Sequence, residues 1–279
     1  MDGWFEDKHT ENVKLDIKVR SVLYSGRSLY QKIDILDTYE FGKILVLDGI
    51  IMLSERDERF YHEMIVHVPM FSHKNPKNIL IIGGGDGGAV REIMKHPITS
   101  VNLVEIDEKV IELSKLHFPE LSSELGGDRV NINIAPGEEF IRQVKNKYDI
   151  VVVDSTDPST IAKHLYENRF YSDCFSALRP DGIMAVQIGS PFYIPSIIGS
   201  IFRRLEEVFP IAKLFVGYVP TYSNGFHSFA FCSKKYDPIE NFQKQRYEHL
   251  NINTIYYNDE IHRSCFSLPN FVEGILSKE

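Results

Sequence analysis

The chain of 279 residues contains, at residues 79–88, the stretch ILIIGGGDGG, a glycine-rich turn directly after an apolar strand. The glycines open into a predicted helix over residues 89–95, as in a nucleotide-binding βα turn, where glycines permit tight backbone angles and close approach of a ligand. Asp86 restricts what that ligand can be. A pyrophosphate would face its fixed negative charge, whereas an amine or a sulfonium would be attracted. The turn therefore favours a cationic nucleoside over a dinucleotide.

Apolar strands and amphipathic helices alternate after this turn. The apolar stretches lie at residues 79–82, 101–105, 130–134, 150–153 and 183–187. This alternation predicts an α/β fold with a doubly wound parallel sheet. Two later stretches, residues 212–219 and 227–232, are predicted to form an antiparallel pair that closes one edge of that sheet.

The N-terminal part follows a different pattern, in which polar and apolar residues alternate from residue 13 to about residue 54. This pattern predicts three or more antiparallel strands, joined by turns at residues 25–26, 40–42 and 48–49. A helix is predicted over residues 55–67, and residues 69–76 are expected to form a connection. We therefore predict a β-strand domain over residues 1–68 and a Rossmann-like catalytic domain over residues 69–279.

Composition limits the partners and the compartment of this chain. It has 31 Lys and Arg against 39 Asp and Glu, a formal charge of −8, and no sustained basic run, which argues against nucleic acid. No stretch approaches the ~20 apolar residues of a membrane span, and the N-terminus does not read as a signal peptide. The three cysteines, Cys174, Cys232 and Cys265, are widely spaced, so we expect neither a disulfide framework nor a zinc site. These features predict a cytoplasmic protein without a membrane partner.

Carboxylates follow several of the predicted strands, and the carboxyl ends of parallel strands meet at one edge of a sheet. Asp86 follows the first strand, Glu105 ends the second, Glu138 follows the third, and Asp154 and Asp157 follow the fourth. Glu105 comes close to the ~20-residue spacing expected for the carboxylate that binds a ribose. Asp154 and Asp157 are either N-caps of a following helix or receptors for an amine. The four strand ends are predicted to form one pocket.

Short motifs along nearly the whole chain resemble those of the spermidine synthases, the polyamine aminopropyltransferases. The motifs are Gly3-Trp4-Phe5, Tyr30-Gln31, Leu45-Val46-Leu47-Asp48-Gly49, Glu55-Arg56-Asp57-Glu58, Tyr61-His62-Glu63-Met64, the turn at 83–88 with Arg91-Glu92, Val104-Glu105-Ile106-Asp107, Asp154-Ser155-Thr156-Asp157-Pro158, Pro220-Thr221-Tyr222 and His262-Arg263. The resemblance implies a small N-terminal β-domain, a methyltransferase-like sheet domain and a homodimer or homotetramer. It also implies transfer of an aminopropyl group from decarboxylated S-adenosylmethionine to putrescine, with release of methylthioadenosine.

The resemblance also implies a role for individual residues. Asp154 would remove a proton from the attacking amine, which Tyr61 would orient, and no metal or separate cofactor would be needed. The implied donor-binding residues are Gln31, His62, Gly83, Gly85, Asp86, Glu105, Gly137, Glu138 and Ser155. The implied acceptor-binding residues are Tyr61, Asp154, Asp157, Tyr222 and Trp4. Without the resemblance, the two tyrosines could be core aromatics, His62 a helix histidine, Gln31 a solvent-facing strand residue and Trp4 an apolar anchor.

Two stretches depart from the family pattern. Pro136 stands where the family usually carries an aspartate that receives the adenine amino group, and Glu138 or Glu139 is expected to take that role. Residues 159–164 replace a Gly-Pro-Ala stretch that borders adenine in the family. Three alternatives therefore accompany aminopropyl transfer: a paralogue with an altered donor or acceptor, a methyltransferase, and a non-catalytic nucleoside-binding protein. Against methyl transfer, Asp86 would repel the α-carboxylate of intact S-adenosylmethionine.

Overall fold

A computed structural model describes residues 3–156 and 161–277. The N-terminal part forms a five-stranded antiparallel sheet in which the strands follow one another in chain order. Its strands are β1 (Gly3–Thr10), β2 (Val13–Arg27), β3 (Lys32–Thr38), β4 (Lys43–Leu47) and β5 (Ile50–Ser54). The predicted small antiparallel sheet is confirmed.

One predicted turn of this sheet is wrong. Residues 25–26 lie inside β2, where Ser25 pairs with Asp34 and Gly26 with Ile33. The chain turns instead at residues 28–31, because the Ser28 hydroxyl accepts hydrogen bonds from the backbone N–H groups of Tyr30 and Gln31. The predicted turns at residues 40–42 and 48–49 are confirmed.

The rest of the chain forms a seven-stranded sheet in the order β11-β12-β10-β9-β6-β7-β8. Its strands are β6 (Asn78–Gly83), β7 (Ser100–Glu105), β8 (Val130–Ile134), β9 (Tyr148–Asp154), β10 (Leu178–Gly189), β11 (Ile211–Tyr218) and β12 (Phe226–Ser233). Strands β6 to β10 are parallel, and β12 pairs antiparallel with both of its neighbours. This confirms the Rossmann-like α/β fold and the predicted antiparallel pair at one edge.

Helices cover both faces of this sheet. They are α1 (Glu58–Ser72), α2 (Gly88–Met94), α3 (Glu108–His117), α4 (Gly137–Arg142), α5 (Asn168–Ala177), α6 (Pro195–Val208), α7 (Lys244–Leu250), α8 (Asp259–Ser264) and α9 (Asn270–Leu276), with 3-10 helices at Ile161–Tyr166 and Ser223–Gly225. Alternate residues of β6 enter different cores: Ile79 and Ile81 pack with α1 and α2, whereas Leu80 and Ile82 pack with α5 and α6. Within the described residues, none of the helices has the length and apolarity needed to cross a bilayer.

Helix α1 differs from the sequence prediction at both ends. It begins at Glu58 and continues through Pro69 to Ser72, so residues 69–72 are not a connection. Proline removes one helical hydrogen bond, but the following residues Met70 and Phe71 are fully buried, and their packing offsets that loss.

The apolar side chains of α1 pack with the seven-stranded sheet, whereas the predicted domain division places this helix with the N-terminal strands. The N-terminal sheet itself ends at Ser54. The proposed division into domains at residues 1–68 and 69–279 stays a prediction.

Candidate active site

The glycine-rich turn lies between β6 and α2, beside the carboxyl end of β9. Gly83 has a φ of 81° and pairs with Asp154 of β9, and a Cβ at this position would overlap the Asp154 carbonyl oxygen. Only glycine therefore permits the two strand ends to approach this closely. Asp86 Oδ1 accepts a hydrogen bond of 2.7 Å from the Gly88 N–H, which fixes the carboxylate at the start of α2.

A cavity of about 350 Å³ lies at these strand ends, between the two sheets. Most of the side chains and glycines singled out from the sequence line it. They are Gln31, Tyr61, His62, Gly83, Gly85, Asp86, Glu105, Gly137, Glu138, Asp154, Ser155 and Tyr222. Among the described residues, Asp7, Lys8 and His9 of β1 also line the cavity. Trp4 is 64% exposed and does not line it. Asp157 lies outside the described residues.

Asp154 is a buried carboxylate with one free oxygen. Its Oδ1 accepts a hydrogen bond of 2.7 Å from the Tyr61 hydroxyl, and its Oδ2 is buried without a hydrogen-bond partner among the described residues. Burial, together with the negative charge of Asp86, raises the pKa of Asp154 to about 6. The orphaned oxygen is therefore available to accept a proton near neutral pH.

Glu105 ends β7 beside the glycine-rich turn. Its Oε2 accepts from the Gly85 N–H at 3.2 Å, and its Oε1 accepts from the Asp107 N–H at 2.9 Å. Burial raises its pKa to about 7. These two bonds leave acceptor capacity on each oxygen for a ligand hydroxyl.

Gln31 reaches the cavity from the N-terminal sheet. It is 5% exposed, so the solvent-facing alternative considered from the sequence is wrong. Its Nε2 donates to Asp107 Oδ2 at 2.9 Å, and the Ser28 hydroxyl donates to the same oxygen at 2.6 Å. Asp107 therefore joins the 28–31 turn to the end of β7 and holds the two sheets together at the cavity.

His62 lies between two carboxylates. Its Nδ1 is 2.7 Å from Glu58 Oε2, and its Nε2 is 3.3 Å from Asp86 Oδ1. Burial by itself would lower its pKa, but Asp86 and Glu58 raise the pKa of His62 well above its ordinary value. Since both ring nitrogens face carboxylates, His62 is a charged imidazolium that donates from both sides.

Tyr222 lines the cavity beside Tyr61. Its ring meets Tyr61 edge-on at 5.7 Å between centroids, and its hydroxyl donates to the Met52 carbonyl oxygen. The neighbouring Thr221 donates its N–H to Asp57 Oδ2 at 2.7 Å. These contacts attach the loop between β11 and β12 to the end of the N-terminal sheet.

Several cavity residues were not identified from the sequence. Gln187 donates to the Ser155 carbonyl oxygen at 2.7 Å, and its Oε1 is buried without a partner among the described residues. His227 lies against Tyr61 and Tyr222, and burial lowers its pKa to about 3, so it is neutral. Nothing in the local sequence identifies either residue as functional, because each lies within an apolar strand.

Among the described residues, two clusters contain atoms of the types that ligate metals: His62, Asp86 and Asp154, and, at the opposite end of the sheet, His73, Asp149 and Asp181. Neither histidine offers a free lone pair. Both nitrogens of His62 face carboxylates, and Nδ1 of His73 accepts from the Asn75 N–H, so its proton lies on Nε2.

A Rossmann-like sheet with an acidic cavity at the carboxyl ends of its strands is typical of an α/β enzyme that acts on a small molecule. A family model described as the spermine/spermidine synthase domain matches residues 58–244, and one described as the spermidine synthase tetramerisation domain matches residues 3–55. The polyamine aminopropyltransferase of Alkaliphilus oremlandii is 43% identical over 282 residues, which cover 100% of this chain and 99% of the relative. The chain belongs to the spermine/spermidine synthase family and is an aminopropyltransferase.

Solved structures agree with this assignment. A crystal structure of a spermidine synthase in complex with the transition state analogue AdoDATO superposes with a TM-score of 0.96 at 42% identity, covering 98% of this chain and 94% of the other. The spermidine synthase of Thermotoga maritima gives a TM-score of 0.93 at 40% identity, with the same coverage.

Proposed function

We propose that this enzyme transfers the aminopropyl group of decarboxylated S-adenosylmethionine to putrescine, forming spermidine and methylthioadenosine. The observation that carries the proposal is the single cavity in which side-chain oxygen and nitrogen atoms of Asp86, Asp154 and His62 lie within 4.8 Å of one another. Asp86 is suited to binding a cation, and Asp154 is suited to accepting a proton.

The donor fits the side of the cavity formed by the glycine-rich turn. Glu105 keeps acceptor capacity for the two ribose hydroxyls, since its two bonds to backbone N–H groups occupy only part of it. Asp86 attracts the propylammonium group of the donor. The remaining residues assigned to the donor, Gln31, His62, Gly83, Gly85, Gly137, Glu138 and Ser155, line the same cavity.

Asp154 acts as the general base in this proposal. A free diamine is protonated at neutral pH, with a pKa near the ~10.4 of lysine, and cannot attack carbon in that form. The positive sulfonium and the buried cavity both lower the pKa of the bound amine. The unpartnered Oδ2 of Asp154 can then take its proton, while Tyr61 holds Oδ1 and orients the nitrogen.

The transfer step is an in-line displacement at carbon. A bond forms between the attacking nitrogen and the propyl carbon, the carbon–sulfur bond breaks, and its electrons neutralise the sulfonium. Because the leaving group departs as a neutral thioether, the reaction needs no Lewis acid, and we propose that it proceeds without a metal or a resident cofactor. Positioning of the two reactants supplies much of the rate.

The acceptor fits between Tyr61, Asp154 and Tyr222, and Asp157 and Trp4 remain predicted acceptor residues. We further propose that the chain assembles as a homodimer or homotetramer through its N-terminal sheet, in keeping with the tetramerisation model that matches it. The three buried, unpaired cysteines agree with a reducing cytoplasm.

Methyl transfer is the competing reaction, and Asp86 argues against it. Intact S-adenosylmethionine carries an α-carboxylate next to the amine that Asp86 would receive, and the two negative charges would repel each other. The decarboxylated donor has no such group.

A panel of acceptors tests the proposal. The protein is incubated with decarboxylated or intact S-adenosylmethionine and with putrescine, cadaverine, agmatine or spermidine, and released methylthioadenosine is quantified. We expect release only with the decarboxylated donor and most rapidly with putrescine. Absence of product across the panel from a folded protein would overturn the proposal, and faster release with another amine would change the acceptor.

A further inference from the structure

An ion pair between α1 and α2 lies behind His62, outside the cavity lining. Arg91 Nη1 donates to Glu58 Oε1 at 2.8 Å, and Nη2 donates to Glu58 Oε2 at 2.9 Å. The remaining nitrogen of the guanidinium, Nε, donates to Glu92 Oε1 at 2.9 Å. This bidentate pair holds the Glu58 carboxylate in one orientation, because two parallel bonds leave it little rotational freedom.

The fixed carboxylate of Glu58 in turn orients the His62 ring. The same Oε2 that accepts from Arg91 also faces His62 Nδ1, and Glu58 is only 7% exposed. Gly88 leaves room for the imidazole ring, since a Cβ at that position would overlap the ring atoms. The ring is therefore held at one edge by Glu58 and on one face by the backbone of the turn.

His62 in turn determines which oxygen of Asp86 is free. Asp86 Oδ1 faces both His62 Nε2 and the Gly88 N–H, whereas Oδ2 bonds to none of the described residues. With Oδ1 occupied from two sides, the carboxylate cannot rotate without losing both contacts. Its second oxygen is left for a cation in the cavity.

We propose that Glu58, clamped by Arg91, is a positioning residue for donor binding: through His62 it fixes Asp86 so that Oδ2 receives the donor's ammonium. This inference rests on the proposed function, because it assigns the propylammonium of the donor to Asp86. Glu58 itself does not touch the donor, so its effect is confined to ligands that carry the ammonium.

Two ligands separate this role from a general effect on the fold. Decarboxylated S-adenosylmethionine carries the ammonium, and methylthioadenosine has the same nucleoside without it. We expect the wild-type chain to bind the donor more tightly than methylthioadenosine in calorimetry. In Glu58→Gln the dissociation constant of the donor should rise about tenfold, while that of methylthioadenosine should stay within about twofold.

Glu92→Gln is the matched control, because it removes the other carboxylate on Arg91 without touching His62. It should leave the ratio of the two dissociation constants unchanged. Arg91→Lys keeps the positive charge but cannot make two parallel bonds, and should shift the ratio in the same direction as Glu58→Gln by a smaller factor. If Glu58→Gln does not fold, Arg91→Lys decides the outcome alone.

Three results would overturn the inference: an unchanged ratio in Glu58→Gln and Arg91→Lys, an equal loss for both ligands, or the same change of ratio in Glu92→Gln. These results differ from a failure of the proposed function. In that case the wild-type chain itself would show no preference for the donor over methylthioadenosine, and the positioning role would fall with it.

Discussion

Replacement of Asp154 by asparagine is expected to stabilise the folded chain while it removes the activity. The pKa of Asp154 is raised from 3.8 to about 6, first by burial and then by the charge of Asp86, so folding disfavours its ionised form. The ionised carboxylate therefore reduces stability above pH 6, and this loss disappears below about pH 3.8, where the folded and unfolded chains are both protonated. The difference between pKa values of 3.8 and 6 corresponds to about 3 kcal/mol at pH 8.

The amide of the Asp154→Asn variant would still accept the hydrogen bond from Tyr61, but it could not ionise. Urea unfolding of the wild-type chain and of this variant at pH 8 and pH 5 tests the reasoning. Any cost of burying the amide NH₂ group is the same at both pH values and cancels in the comparison. The free energy of unfolding of the variant, relative to wild type, should be higher at pH 8 than at pH 5 by roughly 1.5 kcal/mol, about half of the full effect.

Asp128→Asn is the control, because it makes the same chemical change at an exposed aspartate outside the cavity. In parallel, turnover of Asp154→Asn should fall at least about 10²-fold, with donor affinity little changed. A stability difference between the variant and wild type that does not depend on pH, or one that decreases towards pH 8, would refute the assignment of Asp154 as a buried carboxylate with a raised pKa.

Three further outcomes are expected. In the wild-type chain kcat/KM should fall as the pH drops through about 6, because Asp154 must be ionised to accept a proton; a flat profile down to pH 5 would contradict this. Gly88→Ala should weaken donor binding at least about tenfold in a chain whose circular dichroism is unchanged, because the added methyl displaces the His62 ring; unchanged affinity would contradict this. Glu138→Gln should reduce the preference for methylthioadenosine over methylthioinosine about tenfold, because Glu138 lines the cavity and a carboxylate accepts from the 6-amino group of adenine. Glu139→Gln, the exposed neighbour, should have no such effect, and equal behaviour of the two variants would remove Glu138 from base recognition.

Much of the site could be predicted because its chemistry is located at the ends of strands. Asp86, Glu105 and Asp154 each follow an apolar run, and a parallel sheet brings such ends together whatever the connecting helices contain. The alternation of strands and helices also predicted that the central strands are parallel, but not the order in which they lie in the sheet.

Contacts between distant parts of the chain could not be predicted in this way. Gln31 meets Asp107 across 76 positions, and Asp57 meets Thr221 across 164. Neither pair leaves a periodic signal, since its two residues lie far apart in the sequence and belong to different elements.

Glu58 is an intermediate case. A glutamate in the first turn of a helix normally faces solvent and stabilises the helix dipole. Its spacing of four residues from His62 indicates that the two can interact, but only the position of Arg91 on α2 explains why the pair is buried. The sequence indicates the pair of Glu58 and His62, whereas the contact between Glu58 and Arg91 follows only from the packing of α1 against α2.

The central claim is that an aminopropyl group moves from the donor to putrescine, and following a labelled propyl group tests it most directly. The protein is incubated with putrescine and decarboxylated S-adenosylmethionine that carries ¹³C in its propyl chain, and the products are separated by mass spectrometry. We predict labelled spermidine and unlabelled methylthioadenosine in equal amounts. Label that remains in the donor in the presence of folded protein, or label that appears in a product other than a polyamine, would contradict the claim.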